Sequence, residues 1–561
     1  MVEYLKQMSE IVSESSEKEQ SEQALAAIVT EMKGKEGLIA TDQKLSKVLE
    51  RLIESNGTTV AIVKPIFSQL QGSVLELVYD QYGSHVFESV LKSISQVEVD
   101  EELTGIVTAF CESICSDMGN MMSDKRATFV VRSAALVFGG FAQTEGSSDL
   151  IEELKSLKRA DDRNKFDTCF TMMIDAVSQL GLKAITELAT YPHSSLTLQS
   201  LVLLADKVGQ GESMVTQFLC LDDGSVNTDL ILSYLSSPIK AKVVETAIFV
   251  ANKGQLGSRI FSELMSDGRI FESKFAFGFL QSFVSSLKDV ELMTRFVTEV
   301  MTPSWIRECV TRGQGSGIAL IQRTVDSLTR LIDPQRMFVS SLLAAIRAEK
   351  NNIWMSLLAL SADSFSDDFI GVESRIDESK ITPQGCLLFS SLLKLKQSAI
   401  QPIVSGAHVF VEFLAKEFAF AQSRFMNEIG PGRLVQTMIS ADCSLPTGIK
   451  KKIIRHLMLT VDAPQRLSKM ASDRKVGSWL VTAAWDCCAG DVETRRIIGD
   501  SLLRVESLRE TNWKIWRHCG LATFSRRNDE WSQTEKKKSK AESLLRDIIG
   551  DEANYGKRTK Y

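Results

Sequence analysis

A short pattern that returns about every 40 residues decides what this chain can fold into, because such a period belongs to stacked supersecondary units. Its clearest copy runs from Leu77 to Leu91: a helix end, a Gly83-Ser84 turn, then an amphipathic helix with Val86, Phe87, Val90 and Leu91 at core spacing. The segment from Leu38 to Leu52 repeats it almost position for position. Weaker copies follow at Ser195 to Gln199, Ala241 to Glu245, Phe277 to Gln281, Ile318 to Gln322, Gly432 to Gln436 and Ser478 to Thr482. Thr128 to Arg132, Cys386 to Ser390 and Trp513 to Arg517 fit loosely. The eleven five-residue windows start 38, 44, 67, 46, 36, 41, 68, 46, 46 and 35 residues apart. The two long steps predict insertions near 143–165 and 361–382, where the composition turns polar.

Units of this length cannot bury an apolar face alone, so they stack, and no independent domain boundary is needed. The expectation is one solenoid over 1–535, followed by a basic tail over 536–561 that carries eight Lys or Arg and four Asp or Glu. Only 10 prolines and 7 tyrosines occur, which favours helix over sheet and an all-α class. The acidic start (Glu3, Glu10, Glu14, Glu17, Glu19) has no signal-peptide pattern, and no apolar run is long enough to span a membrane, so an intracellular, soluble chain is expected. Ten scattered cysteines then read as reduced thiols, and Asn56-Gly57-Thr58 as a turn. A net charge of −6 gives no global reason to expect nucleic acid, so any basic surface must be local.

The string Asp80-x-x-Gly83-Ser84-x-x-x-Glu88 at this period resembles the Pumilio (PUF) repeat. The resemblance implies an α-solenoid of about ten or eleven Pumilio-like helical repeats, curved or U-shaped. In each, the first, second and fifth positions of one helix face RNA. Positions one and five lie one helical turn apart, so two polar side chains can grip a base edge while position two stacks between bases. Narrower strings resemble the nucleolar protein nine family: Glu31-Met32-Lys33-Gly34-Lys35-Glu36, Gly477-Ser478-Trp479-Leu480 with Ala483-Ala484-Trp485-Asp486, Trp513-Lys514-Ile515-Trp516-Arg517, and Ser525 to Trp531. That resemblance implies a nuclear, nucleolar protein that binds precursor ribosomal RNA, single-stranded or structured, at the first internal transcribed spacer near the small-subunit rRNA 3′ end. It also implies pre-small-subunit assembly factors as partners.

Ser46/Lys47/Glu50 and Ser84/His85/Glu88 match the combination that pairs with guanine in Pumilio repeats, since a carboxylate can accept from the guanine N1 and N2 donors. The same residues also read as a Ser helix cap with a solvated Glu. Ser195 and Gln199 keep the adenine-type pair, with Leu196 between them. Lys242 and Glu245, Gln281, Gln322, and Arg433 with Gln436 retain one edge reader each, so recognition there is expected to use backbone contacts or RNA shape. Thr128/Phe129/Arg132, Cys386/Leu387/Ser390 and Trp513/Lys514/Arg517 are expected to be structural, and the seven tryptophans mainly core.

Lys450, Lys451 and Lys452, continued by Arg455 and His456, form a basic cluster that could meet phosphate; Arg526-Arg527 and Lys536, Lys537, Lys538 and Lys540 form two more. Enzyme signals are weak. Gly313-Gln314-Gly315-Ser316-Gly317 lacks the Lys-Ser/Thr of a phosphate loop and reads as a repeat turn; the five histidines never pair at metal-ligand spacing. No enzyme, cofactor, membrane or DNA partner is expected. Two other functions fit a helical repeat: a protein-binding scaffold and a Pumilio-type messenger RNA regulator.

Overall fold

The computed structural model describes residue 27 and residues 29–537 apart from 55–59, 98, 142–149, 160–164, 268, 274, 332, 349–351, 362–377, 421–422, 459–462, 474, 490, 506–507, 528–529 and 535–536. The sequon, most of both polar insertions and all of the basic tail except Lys537 lie outside these residues. Among the described residues every regular element is helical, apart from one antiparallel bridge between Cys220 and Val226. No helix among them is long and apolar enough to cross a membrane, and all ten cysteines are free thiols.

The helices group into two compact units, Met1–Lys288 and Asp289–Tyr561. In the first, α1 (Leu45–Ile53), α2 (Gly83–Ile94), α3 (Ala127–Phe138), α4 (Pro192–Lys207), α5 (Pro238–Ala251) and α6 (Ala276–Ser286) pack each on the next as the rungs of a ladder. The second unit has its own ladder of α7 (Pro303–Leu328), α8 (Pro383–Leu392), α9 (Ile429–Ile439), α10 (Val476–Cys487) and α11 (Trp513–His518). All eleven windows fall on these eleven helices, one on each. Behind the first ladder a second layer runs through Val60–Leu70, Glu101–Ser116, Asp167–Gln179 and Gly211–Leu219. Behind the second ladder, Ala407–Glu417 packs on Thr447–Met458.

The repeat pattern explains how each rung starts. Asp80 Oδ1 accepts from the backbone N–H of Tyr82 (2.8 Å) and Gly83 (2.9 Å), and Asp42 and Asp124 do the same one repeat before and one after. Asp473 caps α10 with both oxygens, Oδ1 accepting from the Lys475 N–H (3.1 Å) and Oδ2 from the Gly477 N–H (2.8 Å). The cap is therefore this aspartate, not the serine of the window: Ser46 and Ser84 lie one residue inside their helices and are buried. The hydrogen bonds from Leu45 and Lys44 hold the Asp42 carboxyl below its ordinary range. Where the aspartate is missing, proline takes over at the first helical position in α4, α5, α7 and α8, with fixed φ and no N–H to leave unpaired.

Gly83 is needed for a different reason. A Cβ there would fall 2.6 Å from the Leu77 carbonyl oxygen, so only glycine lets α2 start against the helix Val74–Tyr79; Gly477 meets Met470 in the same way. Gly317 lies so close to the Cys309 backbone that α7 must bend sharply within its glycine-rich stretch, which is where the repeat turn was expected.

The rungs bury their apolar stripes, and in α2 Val86, Phe87, Val90 and Leu91 are all inaccessible to solvent. Phe87 meets Phe67 and Phe110 of the second layer at 6.3 and 5.2 Å between ring centroids. Polar ties also join successive repeats. Ser93 Oγ donates to Ile53 O (2.9 Å), Tyr79 Oη to Asp117 (2.5 Å), Asn252 Nδ2 to Phe283 O (2.9 Å) and Asn512 Nδ2 to Ala471 O (2.9 Å). Within the first expected insertion, helix Leu150–Ser156 packs on α4 and buries Leu154, so this part is held against the ladder.

Candidate nucleic-acid interface

The first, second and fifth window positions have three different fates. The first is buried in α1 to α5 and in α7 to α9, half-buried at Phe277 and Ser478, and exposed at Trp513. The second is the open one: Lys47, His85, Phe129, Lys242, Leu387, Arg433 and Lys514 are exposed, and Leu196, Gly278, Ala319 and Trp479 half-buried. The fifth is half-buried in most rungs, as at Glu50, Glu88, Arg132, Glu245, Gln281, Gln322 and Gln436. A flank of polar, partly covered groups thus runs beside a row of open ones along each ladder. This follows from packing: a rung touches its neighbours on two sides, and the residue tilted outward between the contacts is position two.

The serines correct the expectation of an exposed edge reader. Ser46 Oγ is buried with no hydrogen-bond partner, and Ser195 Oγ donates to the Ile239 carbonyl (3.3 Å). Gln199 is corrected further: its Nε2 is 3.2 Å from both Ser195 O and Ser195 Oγ, and its Oε1 accepts from Thr246 (3.3 Å). Its amide is bonded at both ends and buried inside the ladder, with both Nε2 donors directed at Ser195 rather than at a base edge.

Glu50 and Glu88 keep their place on the face. Burial pushes both carboxyls up; His85 acts in the opposite direction on each, as does Arg132 on Glu88. His85 Nδ1 lies 3.4 Å from Glu88 Oε1, which makes no hydrogen bond. Lys242 Nζ reaches Glu245 (2.7 Å), and that carboxylate leans into the space left by Gly278 on the next rung, where a Cβ would collide with it.

Lys450 is also corrected. It is buried, with Nζ donating to the carbonyls of Ser440 (2.6 Å) and Cys443 (2.7 Å), so it clamps the turn before its own helix. Lys451 and Lys452 are exposed, but on helix Thr447–Met458 of the second layer rather than on a ladder rung.

Some of the residues expected to be structural lie on the open row. Phe129 is 45% exposed with the Arg132 guanidinium 4.5 Å above its ring, and Trp513 is 53% exposed. Arg433 stacks over Trp479 at 5.4 Å, linking position two of α9 to position two of α10. Ser478, Trp479 and Thr482 face Asn512, Trp513 and Lys514 across a cleft of about 670 Å³. Trp354, Trp485 and Trp531 are core. For Phe129, Trp479 and Trp513 the sequence signal is position alone: each occupies window position one or two.

Stacked helical repeats presenting this three-position pattern define a Pumilio-type repeat protein. The NOP9-like PUF repeat domain matches residues 34–512, and the chain belongs to that family. It is 22% identical over 564 residues to Nucleolar protein 9 of Ajellomyces dermatitidis, covering 91% of this chain and 78% of that protein. Over 602 residues it is 22% identical to Pumilio homolog 23 of Arabidopsis thaliana, covering 99% and 76%. The structure of APUM23-GGAGUUGACGG superposes with a TM-score of 0.75 at 19% identity, covering 96% of this chain and 99% of that one.

Proposed function

We propose that this protein is a non-catalytic RNA-binding factor of the nucleolus that holds precursor ribosomal RNA along its ladder faces and acts in small ribosomal subunit biogenesis. The observation that carries the reading is the row of open position-two residues beside half-buried acidic and amide groups, repeated rung by rung. A flat base slots between two open side chains, while a fifth-position carboxylate or amide meets its edge. Lys47, Lys242, Arg433 and Lys514 place positive charge where a strand would run, so a net charge of −6 does not oppose binding. The name Nucleolar protein 9 supports the compartment, and the uracil-containing sequence solved with APUM23 supports RNA as the ligand.

The spacer next to the small-subunit rRNA 3′ end is the RNA region proposed, with small-subunit assembly factors as protein partners. Crosslinking the protein to RNA in cells and sequencing the bound fragments tests this. Reads concentrated on precursor rRNA at that junction are expected. Reads on messenger RNA 3′ regions favour a Pumilio-type regulator instead, and no crosslink above background favours a protein-binding scaffold.

A further inference from the structure

The last two rungs of the second ladder depart from the pattern of the others. The first window position is ordinarily closed by the rung that follows, as at Ser195, whose Oγ donates to the Ile239 carbonyl at the start of α5 (3.3 Å). No rung follows α11 among the described residues, so its first position lies open and carries Trp513, 53% exposed. Trp513 shares the cleft of about 670 Å³ with Trp479, position two of α10. Trp479 is backed from α9 by the Arg433 guanidinium, 5.4 Å from its ring centroid. Asn512 fixes the far wall: it is buried, its Nδ2 donates to Ala471 O (2.9 Å), and its Oδ1 accepts from the Ile515 N–H as the cap of α11. The groups that read a base edge elsewhere are missing here. Ser478 Oγ donates to Lys475 O (2.9 Å), and Thr482 Oγ1 to the carbonyls of Ser478 (3.1 Å) and Trp479 (3.0 Å), so both hydroxyl hydrogens are turned back on local backbone. What remains to each hydroxyl is an acceptor, which separates no base from another because all four carry an N–H donor. On α11, position two is Lys514 and position five Arg517, both exposed, and one carboxylate, Glu510, lines the cleft beside them.

We propose that the α10–α11 cleft is a stacking site for one nucleotide of the bound RNA, held by its flat face and its phosphate and taken without regard to which base it carries. The inference rests on the reading that the ladder faces carry RNA. Trp479 and Trp513 supply the ring surfaces, and Lys514 and Arg517 the charge that meets the backbone. Stacking on an aromatic ring tolerates every base because every base has a π-face. Rungs with a carboxylate or an amide at position five, such as Glu50 and Gln436, keep a group that can tell one edge from another; these two rungs add affinity alone. The cleft continues the open row of position two, from Arg433 through Trp479 to Lys514, so a strand lying on the ladder runs straight into it. A pair of indoles also suits a protein segment, but the residues on either side of Trp479 in this row are cations, which favours a chain of phosphates.

The test is binding of the full chain to a randomised pool of single-stranded RNA. The retained strands are sequenced, and one of them is crosslinked by ultraviolet light to find the nucleotide joined to a peptide containing Trp479 or Trp513. That nucleotide is expected to show no base preference among the retained strands. Removing its base while keeping sugar and phosphate should lower affinity about fivefold or more. Trp513→Ala should give the same loss for all four bases and no further loss on the abasic strand, whereas Trp513→Phe keeps a ring and should retain most of the affinity. Trp479→Ala should act likewise; its ring is half-buried, so if that variant does not fold, the exposed Trp513 carries the test alone. A loss confined to one base overturns the proposal, since the cleft then reads an edge. Equal affinity of Trp513→Ala and the parent also overturns it and leaves the cleft to a protein partner. If the parent chain retains no RNA from the pool, it is the RNA reading itself that fails.

Discussion

Gln199 donates to Ser195 one helical turn earlier, its Nε2 3.2 Å from both the Oγ and the carbonyl oxygen of that serine. The pair that looked like an adenine reader is a closed internal contact of α4. Gln199→Ala should therefore lower stability by about 1–2 kcal/mol, the cost of leaving buried partners unsatisfied, and leave the base ranking of an RNA panel intact. Chemical denaturation and panel binding measure the two effects separately. A changed ranking with unchanged stability would show that Gln199 leaves this contact to meet RNA.

Lys450 and its neighbours should part company on substitution. Lys450→Met removes the donor from two carbonyls and should cost roughly 2 kcal/mol or more, seen as a lower denaturation midpoint. Lys451→Glu with Lys452→Glu should change neither the midpoint nor the salt dependence of RNA binding, since these side chains lie on the second layer. A shallower salt dependence would bring that layer into the RNA site.

Arg433, on the open row of α9, should behave in the opposite way. Arg433→Gln should shallow the slope of log K against log salt by about 0.7, the contribution of one neutralised single-strand phosphate. Titrations at four or more salt concentrations decide it, and an unchanged slope would remove Arg433 from the phosphate path.

Gly278→Ala should disturb recognition without disturbing the fold. The new methyl meets only the end of the flexible Glu245 side chain, which can swing away at little cost, so the melting temperature should hold while affinity for RNA at this repeat changes. Equal affinity and an equal base ranking would mean that the Glu245 position is irrelevant to binding.

Loss of the protein should reduce mature small-subunit rRNA and leave the large subunit comparatively normal. Pulse labelling of rRNA in depleted cells shows which precursor accumulates. A selective large-subunit defect would assign the chain to a different step.

The helical repeat was legible in the sequence because packing imposes it twice. The apolar stripe of Val86, Phe87, Val90 and Leu91 marks the buried side, and an aspartate three residues before the first helical residue, at Asp42, Asp80 and Asp124, marks where the first three rungs begin. Which polar groups remain available was not legible, because availability depends on the neighbouring rung. Nothing within α4 alone shows that Thr246 of α5 occupies the Gln199 amide, and nothing in a run of three lysines says that only the first turns inward. Phe129 at position two and Trp513 at position one match a polar code poorly, yet both are open, and a base can stack on any flat surface.

The ties from Ser93 to Ile53, Tyr79 to Asp117, Asn252 to Phe283 and Asn512 to Ala471 each join one repeat to an adjacent one. Gene rearrangement acting on such a chain is constrained by this: three of the four acceptors are backbone carbonyls, which any repeat supplies after excision or duplication of a whole unit, whereas a cut inside a repeat strands both partners. The repeat is thus the smallest length of chain that can be inherited, copied or lost without leaving polar groups orphaned in the interior.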